Sequence, residues 1–162
     1  MALSAAGKRL KESPLHIYDT VGDIADICKE ASAACSKFGT KLVVIDYLQL
    51  IQMRSCQEGY FTKVGMVSNA LKHLAMELKV AVVALAQLSR DVEKDKRSPV
   101  LSDLRDSGQI EQDADVIGFL YADKESQAGE VKLLVAKNRT GPVGQVELEF
   151  NKWITRFDPA TQ

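Results

Sequence analysis

Four places in this sequence set chemically capable side chains against apolar runs. In KLVVIDYLQLI (41–51) the apolar residues Leu42 to Ile45 run straight into an acid, Asp46. An uninterrupted apolar run of this kind reads as a strand buried on both faces, as in a parallel α/β sheet. A carboxylate at the carboxyl end of such a strand lies where open α/β sheets bind ligands. A single carboxylate there suits a Mg²⁺ ion that also holds phosphate oxygens. The same acid could simply cap the next turn, and the pattern by itself does not separate the two roles. Gln87 ends a second apolar run, Val80 to Ala86. Its amide can engage a phosphate oxygen or a water without adding charge, or bond to nearby backbone. Arg105, Asp106 and Gly108 stand together in DLRDSG. There a guanidinium can fork onto phosphate and a glycine exposes its N–H to close approach. Lys137 and Arg139, in AKNRTGP, are a basic pair beside a turn; the plain alternative is a solvated hairpin tip.

The elements that must position these groups can be read from periodicity. Residues 1–13 form a small, polar and basic lead, frayed or helical, and Leu15 to Tyr18 a short strand. Thr20 as N-cap, with Asp23 three residues on, opens a helix. Val21, Ile24, Cys28, Ala31, Cys35 and Phe38 give that helix one apolar face, and Gly39 ends it. The Asp46 strand and a polar connection at 52–62 follow. A second helix over about 63–79 carries a stripe of Val64, Val67, Leu71, Leu74, Ala75 and Leu78, and leads into the Val80–Ala86 strand. Residues 89–109, charged and holding Pro99 and Gly108, read as a long loop with a short helix, the favoured place for function. Its Lys94, Lys96 and Arg97 read as a solvated charge run. Val116 to Tyr121 make another strand. Residues 130–137 and 144–150 make a hairpin around Thr140-Gly141-Pro142, and a last strand at about 153–157 places Trp153 in the core. His16 and His73 fit no catalytic pattern, and His73 reads as structural.

Composition narrows the class. A chain of 162 residues, 46% hydrophobic and 27% charged, fits one soluble domain with a sizeable core. A formal net charge of −1 argues against a generally basic nucleic-acid coat while leaving room for a small DNA-binding loop. No apolar run approaches the ~18–20 residues of a membrane span, and the first residues do not form a signal peptide. Cys28, Cys35 and Cys56 are odd in number and lack CxxC spacing. They read as reduced thiols of a cytoplasmic protein rather than metal ligands.

Three segments, in order and spacing, carry a resemblance: IDYLQLI (45–51), VVALAQLSRDVEKDKRSPVLSDLRDSGQIEQDADVIGFLY (82–121) and AKNRTGPVGQVELEFNKWITRFD (136–158). Together they resemble the carboxyl-terminal motor domain of bacterial and phage replicative DNA helicases of the DnaB type, from about Pro14 to Asp158. The resemblance implies an α/β, partial RecA-like P-loop NTPase fold: a mainly parallel sheet flanked by helices, with a carboxyl-terminal hairpin. Residues 1–13 would be a flexible lead, 14–158 the truncated motor domain and 159–162 a tail. It implies ATP or another NTP with Mg²⁺ as cofactors, Asp46 being the Walker B acid. Gln87 would sense the γ-phosphate. Arg105, Asp106 and Gly108 would hold the backbone of single-stranded DNA, with Asp106 where the family usually has Glu. Lys137 and Arg139 would reach the γ-phosphate bound by a neighbouring subunit, Arg139 as an arginine finger. The implied partners are other subunits of a ring, a hexamer in the intact enzyme, with primase or a loader, and no membrane.

No GxxxxGK[ST] occurs in the 162 residues, and Gly7-Lys8 is followed by Arg9. The family's phosphate loop and catalytic Glu thus have no counterpart. The expectation is part of an ATP-driven replicative helicase, inactive by itself. The alternative is a non-enzymatic module that binds single-stranded DNA or an intact helicase. In the RecA-like order the phosphate-loop strand lies between the strands read at 80–86 and 116–121. Without it, those two strands are expected either to pair directly or to pair with another chain.

Overall fold

Residues 2–20, 22–54, 59–88, 97–104, 108–122, 126 and 129–160 are described by a computed structural model. Arg105, Asp106, Lys94, Lys96 and Cys56 lie outside the described residues.

Helix α1 spans Ala2–Glu12. No strand forms at Leu15–Tyr18, where Leu15, Ile17 and Tyr18 are exposed. An extended segment becomes a strand only when a neighbour takes its backbone groups. Helix α2 covers Ile24–Phe38 and is capped by Asp23, not Thr20: the Asp23 carboxylate accepts from the Ala25 N–H at 3.0 Å. The expected opening was three residues early. Asp23 has extended backbone (φ −94°, ψ 140°), as an N-cap requires. Gly39 ends α2 at φ 68°, the left-handed conformation glycine adopts at no steric cost, and its N–H bonds to the Cys35 carbonyl.

Strand β1 is Leu42–Ile45 and β2 is Ala81–Ala84. They pair in parallel, Leu42 opposite Ala81 and Ile45 opposite Ala84. The connection between them holds a 3₁₀ turn at Leu48–Leu50 and helix α3, Tyr60–Leu78. A second 3₁₀ turn, Leu101–Asp103, and the short helix α4, Gly108–Asp113, lead to β3, Val116–Tyr121. The chain ends in an antiparallel meander of β3, β4 (Glu130–Asn138), β5 (Gly144–Asn151) and β6 (Arg156–Pro159). The fold is therefore α/β, with one parallel pair and a four-stranded antiparallel sheet carrying the expected hairpin.

The core lies between α2, α3 and one face of β1–β2. Ile24, Ala31, Leu48, Val67, Leu71 and Leu74 are buried there, with Val43, Ile45 and Val82 packed against them. The α3 stripe thus does what its helical spacing predicts. Burial of β1 on both faces is not observed: Leu42 and Val44 are 52% and 56% exposed, while Val43 and Ile45 face the core. Parallel pairing puts Leu42, Val44, Ala81 and Val83 on one bare face. Val116 and Leu120 of β3 are likewise exposed, with Ile117, Phe119 and Tyr121 buried on the other side. Nor do the two strands pair directly, for β2 and β3 lie in different sheets. Trp153 is not core. It sits in the turn before β6, 96% exposed, and the last strand starts at Arg156 rather than 153.

Candidate functional site

Asp46 follows β1 directly and is exposed at its carboxyl end. The peptide joining it to Tyr47 is cis. Beyond it the chain is pinned at both ends of a short excursion. The Leu85 N–H donates to the Ile45 carbonyl and the Leu48 N–H to the Leu85 carbonyl, both at 2.9 Å. At the far side, Ile24 N–H donates to the Gln52 carbonyl at 3.0 Å and Gln52 N–H to the Gly22 carbonyl at 2.7 Å. Asp23 also accepts from the Arg54 N–H at 2.9 Å. That bond, with the Ala25 N–H and the Arg54 guanidinium nearby, holds the Asp23 carboxyl below its usual range. One acid thus caps α2 and anchors the end of the segment that starts at Asp46.

Gln87 lies three residues past β2 and is exposed. Its backbone is gripped by Gln49: the Gln49 side chain donates to the Gln87 carbonyl at 3.1 Å and accepts from the Gln87 N–H at 3.3 Å. Asp46 and Gln87 therefore stand at the same end of two paired strands, and Gln49 fixes the second to the loop of the first. Gln49 is absent from the residues read as functional in the sequence. Its signal was its place in DYLQL, three residues after the acid.

Gly108 opens α4 with open space around its Cα, so nothing in its surroundings demands glycine there. Just upstream, Arg97 is not a solvated charge as expected. Its two terminal nitrogens donate to Asp103 at 2.6 and 2.7 Å, a bidentate pair on a buried carboxylate. Asp103 also accepts from the Val100 N–H at 2.7 Å. Arg97 first, then that N–H, outweigh desolvation and hold the Asp103 carboxyl below its usual range. Pro99 is fully buried beneath this loop. Ser98 Oγ lies 3.1 Å from the Tyr121 hydroxyl, which donates to Gln145 at 2.8 Å. The stretch leading to Arg105 is thereby tied to β3 and β5.

Lys137 and Arg139 sit at the end of β4, beyond a bulge where Ile117 opposes Lys137 but Gly118 opposes Val135. A bulge of this kind turns the strand and re-aims its side chains. Asn138 organises the tip: its side chain accepts from the Thr140 N–H at 3.3 Å and donates to the Pro142 carbonyl at 3.1 Å. A Cβ on Gly141 would come within 2.6 Å of that amide, which explains glycine in the motif. Lys137 donates to the Glu111 carbonyl. Arg139 pairs with Asp115 at 3.1 Å and reaches the Gln112 carbonyl at 3.4 Å. These two cations meet the carboxyl end of α4, a favourable place for positive charge. They are not grouped with Asp46 and Gln87 in the described contacts.

Elsewhere, His16 stacks on Phe38 at 4.0 Å between ring centroids, and His73 is exposed on α3. Burial pushes the Cys28 thiol up, as for an inert cysteine. Among the described residues no cluster of three or more His, Cys, Asp or Glu could cage a metal. The donor set fits Mg²⁺ only in the way nucleotide sites use it, with one protein carboxylate and the other ligands from phosphate and water. No helix among the described residues is long and apolar enough to cross a membrane.

Comparison with known proteins places the arrangement in a family. Residues 1–159 match the family described as the DnaB-like helicase C terminal domain. The replicative DNA helicase DnaB of Geobacillus stearothermophilus is 43% identical over 177 residues, spanning 98% of this chain and 38% of that one. The replicative DNA helicase DnaC of Bacillus subtilis (strain 168) is 41% identical over 174 residues, with the same shares. A solved ATPase domain superposes with a TM-score of 0.89 at 40% identity, covering 98% of this chain and 59% of the other. A DnaB-like replicative helicase, solved in a study of its interactions with primase, gives 0.84 at 42% identity, covering 93% of this chain and 39% of that one. The chain thus spans about 38% of the length of these curated relatives. With the family model matching residues 1–159, the chain belongs to the DnaB-like helicase C-terminal domain family.

Proposed function

We propose that this chain is part of a replicative DNA helicase that couples ATP hydrolysis to movement along single-stranded DNA and strand separation during replication. The reading rests above all on the shared carboxyl end of β1 and β2, where Asp46 directly follows the last paired residue of β1 and Gln87, gripped by Gln49, lies three residues past the last of β2. In it, Asp46 helps hold Mg²⁺, which neutralises charge on the phosphates of a bound nucleotide. Gln87 faces the terminal phosphate, its backbone fixed so that the amide can respond to that group. Arg105, Asp106 and Gly108 hold the backbone of single-stranded DNA, on a loop whose approach is braced by Arg97, Asp103 and Tyr121. Lys137 and Arg139 serve a nucleotide on a neighbouring subunit, Arg139 stabilising charge that develops in phosphoryl transfer. Among the described contacts neither cation meets Asp46, which supports a role in trans. The working assembly is a ring of such subunits, a hexamer, acting in the cytoplasm with primase or a loader.

With no GxxxxGK[ST] in its 162 residues, the chain by itself does not turn over ATP. Calorimetry with Mg²⁺ and a non-hydrolysable ATP analogue tests the nucleotide site on which turnover depends: no binding in the micromolar range is expected. Micromolar binding abolished by Asp46→Ala would overturn it. The alternative, a non-enzymatic module docking on an intact helicase, draws on the bare apolar face of β1–β2. Co-elution with intact helicase, without DNA binding by the chain alone, would favour it.

A further inference from the structure

Asp115 divides its carboxylate between two cations. Oδ2 takes Lys72 of α3 at 2.7 Å, and Oδ1 takes Arg139 at 3.1 Å. The first contact makes Asp115 a post anchored on α3. The Lys72 side chain is 23% exposed and that of Asp115 58%, and α4 is bonded to α3 again through Asp113, which accepts from Ser68 of α3 at 2.8 Å. Lys72 first, then Arg139 and Lys137, keep the Asp115 carboxyl below its usual range, so the post is charged near neutral pH. The second contact is of a different kind. The Arg139 backbone is held by its N–H on the Asp115 carbonyl at 2.8 Å, and Asn138 stiffens the tip beyond it. The Arg139 side chain is 55% exposed, and among the described residues its guanidinium bonds to Oδ1 and, at the outer limit of a hydrogen bond, to the Gln112 carbonyl. An ion pair this exposed is weak. A phosphate with two or more charges outbids a single carboxylate for a guanidinium, and presents the same fork of oxygens.

We infer that Asp115 is a positioning residue for Arg139: it parks the guanidinium on its own chain, and an oligophosphate draws it off by exchange of one oxyanion for another. The inference rests on the reading of Arg139 as a phosphate-contacting residue and adds the group that competes for it. Such a post would keep the finger from wandering between encounters and set a threshold for engagement. Lys72 keeps Asp115 in place after Arg139 leaves, so the exchange is reversible.

The test uses this chain and its Asp115→Asn variant, and the same pair in an Arg139→Ala background. Two readouts are taken. The first is ¹⁵N relaxation of the Arg139 side-chain Nε, which reports whether the guanidinium is held. The second is tripolyphosphate binding at fixed ionic strength. Asp115→Asn is expected to free the Arg139 side chain and tighten tripolyphosphate binding roughly two- to five-fold, the worth of an exposed ion pair. The part of the gain carried by Arg139 should vanish in the Arg139→Ala background; any gain that remains there comes from a freed Lys72 or from lost negative charge and is subtracted. An Arg139 side chain equally mobile with and without Asp115 would overturn the parking role, whatever the binding. Release without an Arg139-dependent gain would overturn it from the other side, by removing the phosphate-contacting reading on which it stands.

Discussion

Replacing Asp103 with Ala should cost this chain about 2–3 kcal/mol. The carboxylate is 7% exposed and accepts three bonds: two from the Arg97 guanidinium and one from the Val100 N–H. Hydrogen bonds to charged groups contribute about 1.5–3 kcal/mol, and truncation would remove the carboxylate that accepts two bonds from Arg97 and one from the Val100 N–H, while Arg97 keeps its bond to the Ser98 carbonyl. Arg97 can turn to water, since its side chain is 43% exposed, which keeps the loss below that of a fully buried pair. Urea denaturation of wild type, Asp103→Ala and Asp103→Asn measures it. With an m-value of about 2 kcal/mol/M, the midpoint of the Ala variant falls by roughly 1–1.5 M. Asparagine keeps an acceptor for Val100 but loses the charge, and should fall between the two. The sign of the pH effect is a second check. The folded carboxyl titrates below its unfolded value of about 3.9, so its stabilisation is complete above that pH and fades as pH falls through the lower folded value. The gap between wild type and Asp103→Asn should be constant from neutral pH to about pH 5 and close below about pH 4. A gap under about 0.5 kcal/mol at neutral pH, or one that persists in strong acid, would refute the reasoning.

Two further outcomes follow from the packing. Leu71, 4% exposed at the centre of the α2–α3–sheet core, should cost about 2–5 kcal/mol as Leu71→Ala, again by urea midpoint. Trp153 is the single tryptophan and is 96% exposed. Its emission should match that of indole in water, quench fully with iodide, and hardly move when the chain unfolds; a blue-shifted native spectrum would contradict the turn.

What the sequence made legible were features decided within one element. The α3 stripe, the Gly39 stop and the Thr140-Gly141-Pro142 hairpin depend on helical spacing, a left-handed residue and turn chemistry, all local. The start of α2 was misread because Thr20 and Asp23 are both good caps. What decides between them is tertiary: Asp23 also meets the Arg54 N–H beside its own β-bridge to Gln52. Arg97 was misread for the same reason, since its partner Asp103 becomes near only when Pro99 is buried and the loop closes on Tyr121. The candidate residues of the site were legible as types and words, but Gln49, Asn138 and Asp115, which hold them, were not. The partners of Gln49 and Asp115 lie at positions that no spacing rule connects, whereas those of Asn138, two and four residues on, follow ordinary turn chemistry that went unread.

The readings that failed at Leu42, Val44 and Leu15–Tyr18 have a common cause. An apolar run encodes how many layers a strand expects around it, not how many are supplied. Here α2 and α3 supply one layer, against Val43, Ile45 and Val82. Leu42, Val44 and Val83 of the parallel pair, and Val116 and Leu120 of β3, carry residues for a second layer that no described helix provides. The bare face of β1–β2 measures how much of the burial that the apolar run calls for is left unmet by the described residues.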